Sequence, residues 1–270
     1  MKLRIYLILC ACWAAFSLQA QEDSLRATRY VMRSVLYGAG MSNVLDTYLS
    51  PLEYKGPEIR ILRENMRMTR LMNGNVSTQN LLQANVSYTH NPSQTAYALH
   101  YQFRLNEQLK LLAGPMIDLN GGFVYNTRNS NNPAQAKAYG SVGISGMAIY
   151  KFRIGNYPLV VRYQANLPLL GAMFSPEFGQ SYYEMFSLGH KGKNVLFTSL
   201  HNNPSLRQML TLDFPIRKVT MGYICDLQQA KVNHLKYHTY SHDFMIGIVK
   251  NFYLLKGKNR ISMPSNVTPY

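Results

Sequence analysis

The residues that could do chemistry in this chain are its histidines and a scatter of charges at alternating positions. His234, His238 and His242 are spaced by four. On a helix that spacing would put them on one face. On a strand, residues four apart share a face but lie about 13 Å apart, too far to share one ion. No metal site is therefore expected, and no cofactor. Ser241-His242-Asp243 has the composition of a catalytic triad. Successive strand residues point to opposite faces, so His242 would turn away from Ser241 and Asp243, and a working site would need partners from neighbouring strands. His201, His238, Ser241 and Asp243 are the candidates for such a site at a barrel rim. A second set, His100, Arg104, Arg162, Arg207, Asp213, Asp226 and Asp243, shares the polar parity of its segments. Charges gathered on one buried face must pair, because a lone buried charge is costly.

The elements that would position these groups alternate with a period of two. In Leu81–Leu105, Leu82, Ala84, Val86 and Tyr88 share one parity, as do Tyr97, Leu99, Tyr101 and Phe103 in the second arm. That pattern predicts two strands, joined at the turn formers Asn91-Pro92-Ser93-Gln94. The same alternation recurs along the chain and predicts about ten strands, with the last over Tyr237–Phe252. Glu58–Arg70 holds no single apolar parity but leads into Asn73-Gly74, a tight-turn signal, and is read as a strand. Pro115 falls inside a strand and predicts a bulge. Long connections are expected at Asn43–Gly56, Asn120–Ala136, Leu170–Ser205 and Gln228–Lys236, alternating with short turns.

The chain has 270 residues, a formal net charge of +15 and only 15% charged residues, with 20 Tyr and 11 Phe. Lys2 and Arg4 precede an apolar run, Ile5–Leu18, and Ser17-Leu18-Gln19-Ala20 reads as a cleavage site, so residues 1–20 are expected to be a signal peptide. Residues 21–29 read as a periplasmic lead-in, 30–255 as the barrel and 256–270 as a polar periplasmic tail. After residue 20 no stretch is apolar for the ~20 residues a membrane helix needs. Cys10 and Cys12 leave with the signal, and Cys225 has no partner for a disulfide. The positive charge comes with no basic helix or nucleic-acid-binding motif in an exported chain, which argues against nucleic acid as a partner.

Alternation alone does not say which face is inside. Three features favour lipid on the apolar side. The strands run about 9–12 residues, enough to cross a bilayer when tilted. Aromatics sit toward the ends of the apolar faces (Tyr97, Phe103, Tyr150, Phe152, Phe214, Phe252), as a girdle requires. Charges occupy mid-strand positions on the other faces. The expectation is an all-β fold, a transmembrane antiparallel up-and-down barrel. A soluble sandwich or lipocalin-like barrel is the alternative.

Three segments carry a resemblance: SNVLDTYLSPLEYKG at Ser42–Gly56, SLHNNPSLRQMLTLDFP at Ser199–Pro215, and the terminal strand ending in Phe252. With them the chain resembles an uncharacterised, domain-of-unknown-function family of outer-membrane β-barrels from Bacteroides-type Gram-negative bacteria. The resemblance implies fold and outer-membrane location but no activity. The expected role is structural or surface-binding, through long outward loops in which Tyr182, Tyr183, Lys191 and Lys193 are the candidates. Lys191 and Lys193, with Arg128 and Lys137, could meet lipopolysaccharide phosphates. Outer-membrane lipid, lipopolysaccharide and an unidentified extracellular ligand are thus the expected partners. A narrow basic-lined anion channel and a rim-sited hydrolase are the alternatives.

Overall fold

The computed structural model describes residues 29–69, 71–87, 90–126, 133–189 and 193–254. The expected signal peptide, the tail and Lys191 and Arg128 lie outside them. Eleven strand segments form one antiparallel sheet: β1 (Arg29–Asp46), β2 (Ser50–Met68), β3 (Val76–Ser87), β4 (His90–Arg104), β5 (Leu109–Tyr125), β6 (Ala134–Ile154), β7 (Tyr157–Phe174), β8 (Val195–Ser199), β9 (Ser205–Phe214), β10 (Val219–Val232) and β11 (Leu235–Leu254). Apart from β8 and β9, consecutive segments pair with one another, and β1 closes on β11 from Arg29↔Leu254 to Asp46↔Tyr237. β8 and β9 both pair with β7, β8 at its outer end and β9 at its inner end, so together they fill one position in the ring. The result is a closed barrel of ten strands. An even number returns both ends of the barrel to the same side.

The barrel is inside-out. On β4, Tyr97 and Leu99 face outward while Ala98 and His100 are buried, His100 completely. Ile59 and Ile61 on β2, Ile117 and Leu119 on β5, Val142 and Ile144 on β6, and Phe244, Ile246 and Ile248 on β11 are all exposed. Arg60, Arg162, Glu64, Asp213 and Asp243 are buried in the interior. Hydrocarbon outside and hydrogen-bonded polar groups inside is the arrangement a bilayer demands of a spanning sheet. Aromatic pairs mark the end of the belt nearest the termini: Tyr101 with Phe103 at 4.8 Å between centroids, and Tyr150 with Phe152 at 6.0 Å.

Several expectations change. The turn between β3 and β4 comes before Asn91, and Asn91–Gln94 lie within β4, paired with β5. Two of the expected long connections are mostly strand. Residues 47–49 separate β1 from β2, and Asn233 and His234, both at positive φ, separate β10 from β11. The strands are longer than a bilayer needs: β6 has 21 residues and β11 has 20. They run past the apolar belt into water, where both faces turn polar and the sequence looks like loop. Pro115 produces no bulge. The β4–β5 ladder is interrupted opposite Gly114 and Pro115 and resumes in the same register. Register shifts fall instead between Val142 and Gly143 on β6 and between Leu45 and Asp46 on β1. Of the expected strand Glu58–Arg70, Glu58–Met68 is strand within β2 and Arg70 lies outside the described residues; a 3-10 turn follows at Leu71–Gly74, in which Gly74 has φ 86°.

At the β1–β11 seam, Gly40 lies so close to its partner strand that an added Cβ would stand 1.8 Å from the carbonyl oxygen of His242. Gly40→Val should lower barrel stability by at least about 1–3 kcal/mol, the usual cost of overpacking. Gly121→Ala, where the added Cβ meets nothing within 4 Å, should be neutral. Urea unfolding in detergent, followed by heat-dependent gel mobility, reads both, and coincident transitions would refute the tight seam.

Candidate functional site: the lumen and the capped mouth

The interior is built in layers that can be read down β2. Glu58 and Arg60 belong to an outer polar layer, Leu62 to an apolar one, Glu64 to an inner polar layer and Met66 to a second apolar one. All five side chains point inward because they share a parity, and all are buried.

Arg60 centres the outer polar layer. Its Nη2 meets Glu58 Oε1 at 2.8 Å and its Nε meets Asp243 Oδ2 at 2.7 Å, while its Nη1 bonds Asp226. Nη1 also donates to Gln83 Oε1 at 3.2 Å, and Nη2 donates to Ser241. Arg207 joins through Asp226 Oδ1 at 2.7 Å and through Gln94. Gln94 in turn donates to Asp118 at 2.6 Å. A planar guanidinium with several fixed donors suits such a hub, since each carboxylate can be met along a separate N–H direction.

The inner polar layer is centred on Glu64. Arg162 Nη1 lies 3.0 Å from Glu64 Oε1, and Arg162 Nε lies 3.0 Å from Asp213 Oδ2. Gln79 donates to Glu64 Oε1 at 2.7 Å and Ser34 donates to Oε2 at 3.1 Å. Gln79 and Gln164 exchange hydrogen bonds at 2.8 and 2.7 Å. His100 Nε2 lies 2.8 Å from Ser145 Oγ, and Ser145 donates its proton to Asn166 Oδ1 at 2.6 Å. A nucleophilic serine would direct that proton at the imidazole. Ser145 spends it on an amide and is itself buried, so the cluster is structural.

Apolar layers separate and close the polar ones. Met32, Met66, Leu112, Met147, Ile149, Val160 and Val249 pack together toward the end of the barrel where β1 begins and β11 finishes. Leu36, Leu62, Leu81, Met209, Ile224 and Met245 lie between the two networks. Val44, Leu49, Val124, Met173 and Tyr237 form the outer layer. A recess of about 60 Å³ remains beside Gln94, Asp118, Arg207 and Asp226. That is room for a few waters.

The outer mouth is covered by residues 175–189 and 193–194, which carry the short helix α1 (Tyr182–Phe186). Ser181 and Glu184 form a reciprocal capping box at its start, which fixes the helix despite its single turn. Tyr182 faces the barrel: its hydroxyl accepts from the Ala136 amide at 2.7 Å, and its ring meets Tyr48 edge-on at 6.2 Å. The Tyr48 hydroxyl donates to the Gln180 carbonyl at 2.8 Å. Burial, with Tyr182 nearby, pushes the Tyr48 phenol up to about 12, so it stays protonated as that donor. Asn233, in the β10–β11 turn, donates to the carbonyls of Ser175 and Lys193 at 3.1 and 3.0 Å. Met185 is buried beneath the helix.

The sequence-derived candidates divide cleanly. His100, Arg162, Arg207, Asp213, Asp226 and Asp243 lie in the lumen. Arg104 ends β4 in solvent, outside the plug. Tyr182 tethers the cap, while Tyr183 and Lys193 are exposed. Lys137, expected near a loop and lipopolysaccharide, points inward instead. Its Nζ lies 2.9 Å from Asp46 Oδ2 and 4.0 Å from the centre of the Tyr237 ring. The rim-hydrolase residues are scattered. Ser241 and Asp243 are bound to Arg60 inside, His238 bonds Glu53 outside at 2.9 Å, and His201 touches Ser199 in the turn after β8. His242 bonds the Tyr223 hydroxyl on the outer surface at 2.7 Å. No metal-holding cluster occurs among the described residues. The basic lining of the alternative channel reading does not fit, since Asp46, Glu58, Glu64, Asp118, Asp213, Asp226 and Asp243 outnumber the buried cations they meet. Sequence reading missed Arg60, Glu58 and Glu64. The signal was present, because positions 58, 60 and 64 share one strand parity.

Among solved structures, the chain is similar to the outer membrane protease OmpT of Escherichia coli, at 7% identity and TM-score 0.46, covering 86% of this chain and 100% of that one. It is similar to the translocator domain of the autotransporter NalP of Neisseria meningitidis, at 10% identity and TM-score 0.37, covering 89% and 94%. It is also similar to Neisserial surface protein A, at 11% identity and TM-score 0.33, covering 80% and 96%. No curated protein matches the sequence. The family described as "Protein of unknown function (DUF3316)" matches residues 5–259, and the chain belongs to that family.

Proposed function

We propose that this protein is a non-conducting barrel of the Gram-negative outer membrane whose capped end serves as a surface-binding platform. The observation that carries this reading is the filled lumen. Two networks centred on Arg60 and Glu64 alternate with three apolar layers, and α1 covers the mouth. A channel needs sites that ions can enter and leave, whereas here the charged groups are tied to one another by ion pairs. The outward side of the cap shows Phe178, Tyr183, Phe186 and Leu188 to solvent, with Phe186 73% exposed. Apolar groups grouped on an exposed surface mark a binding face more often than an inert one. The expected contact with lipopolysaccharide phosphates falls to Lys193 and to the outward cations of the strand extensions, Lys55, Lys231 and Lys236.

The purified barrel should be electrically silent in planar bilayers, and discrete conductance steps would overturn the plugged reading. Arg60→Leu leaves Glu58, Asp226 and Asp243 facing one another without a cation. It should cost about 3–5 kcal/mol, the usual penalty for breaking a buried pair, seen as an earlier urea transition in detergent. A transition within error of the wild type would show that the hub is not structural. Tyr182→Ala should release the cap and speed protease nicking within residues 175–194, whereas Tyr183→Ala should not. Equal nicking rates would refute the tether.

A further inference from the structure

The outer wall of β1, β2, β10 and β11 is indented toward the capped end. Four outward positions line up there across the strands. Asn43 on β1 stands opposite Lys55 on β2 and opposite Tyr240 on β11, and Tyr240 stands opposite Leu227 on β10. The next outward row toward the chain termini holds Met41 and His242, again direct partners. These six side chains line one open recess of about 440 Å³. Two residues further along the strands come Ala39, Ile59 and Phe244, exposed and apolar. The recess therefore opens where the lipid-facing belt gives way to the polar strand extensions.

Its polar side is a set of donors. The Tyr240 hydroxyl accepts from the Gln229 amide, which leaves its own proton to donate. His242 Nδ1 lies 2.7 Å from the Tyr223 hydroxyl. With that hydroxyl donating, Nε2 carries the imidazole proton and is a second donor. Lys55 adds a cation with three more N–H groups. None of the described lining residues is acidic. Glu53, two residues along β2, bonds His238 at 2.9 Å and also attracts Lys55. The site is thus made by donors converging on a concave surface, not by a bare charge. Met41 and Leu227 supply the apolar side. Donors at the edge of hydrocarbon are satisfied only by acceptors that reach them there, and an ammonium favours phosphate among acceptors. The recess is continuous with the belt, so the molecule that suits it is a lipid rather than a soluble anion. We propose that it binds a phosphorylated glycolipid of the outer leaflet, of the lipid A class, with a phosphate against Lys55, sugar oxygens accepting from Tyr240 and His242, and an acyl chain laid over Met41 toward Ala39 and Phe244. The inference rests on the outward orientation of the capped end given under the proposed function, and it assigns the lipopolysaccharide contact proposed there to one place.

The test is native mass spectrometry of the full barrel released from detergent micelles doped with lipid A, lipid A stripped of its phosphates, or phosphatidylglycerol. The wild type should retain lipid A at least tenfold more than either of the others. Lys55→Gln with Tyr240→Phe should lower that retention at least tenfold, whereas Lys231→Gln with Lys236→Gln, outside the recess, should leave it within twofold. Heat-dependent gel mobility of the same samples reports whether each variant is a folded barrel. If the double variant at the recess does not fold, Lys55→Gln alone, at an exposed position, should still lower retention several-fold. Orientation is read separately, by an impermeant maleimide on intact cells carrying Tyr183→Cys, with the unsubstituted protein as the blank. If the cap is labelled, then equal retention of the three lipids, a preference for phosphatidylglycerol, or unchanged retention in the folded Lys55→Gln variants overturns the recess as the site and leaves the orientation standing. An unlabelled cap overturns the orientation and this proposal together.

Discussion

The ion-pair hub at Arg60 sets the terms for the rest of the structure. A guanidinium with no exposed side-chain surface meets Glu58, Asp226 and Asp243 from β2, β10 and β11. Removing an arginine and three carboxylates from water is expensive, and their mutual attraction offsets that cost only where the geometry is good. The barrel wall supplies the geometry. With β1 between β2 and β11, the hub spans the seam where the sheet closes, and it can assemble only after the last strand has reached the first. Closure and charge pairing are thus one event, since an open sheet would leave both an unpaired edge in lipid and unpaired charges in the lumen.

The layers around the hub follow from the narrowness of a ten-stranded interior. Inward positions from opposite walls meet across it, so each level must be filled by groups of one kind. A carboxylate facing leucine would be stranded, and a leucine inside a hydrogen-bond network would break it. β2 changes character every few inward residues, and the other strands change at the same levels. Arg162 on β7 finds Glu64 on β2 and Asp213 on β9 because all three occur at one level. Alternating layers also give the plug its lateral specificity, because a slip in register would set acids against leucines.

Much of the fold was legible in the sequence. Period-two alternation identified the strands, and the lipid-facing set on β4 follows the expected parity. What was hidden has physical reasons. In β2 the inward set mixes Leu62 and Met66 with Glu58, Arg60 and Glu64, so no parity looked apolar even though every second residue from Glu58 to Met66 is buried. Beyond the membrane both faces of a strand meet water or polar neighbours, and Asn43–Gly56 and Gln228–Lys236 consequently read as loop although they are nearly all strand. Lys137 looked like a surface charge because it neighbours a polar stretch, yet its parity, shared with Gln135 and Tyr139, already pointed inward. The partners within each network could not be read, because pairing depends on register and on contacts across the lumen. Glu64 and Arg162, ninety-eight positions apart, meet only once the ring closes.

The formal charge of +15 acquires a direction from this arrangement. The strands turn their carboxylates inward almost without exception, where Arg60, Arg162, Arg207 and Lys137 are matched against them. The remaining cations, among them Arg33, Lys55, Arg63, Arg67, Lys231, Lys236 and Lys250, are left on the outer wall. The exterior is therefore more basic than the composition alone suggests. These cations sit at the two edges of the apolar belt rather than across it, since the middle of the belt is held by residues such as Ile59, Ile117, Ile144 and Phe244. A cation at the edge of hydrocarbon can extend its head toward phosphate while its stem stays in apolar surroundings. The same division that fills the lumen with acids thus leaves basic side chains at both edges of the apolar belt.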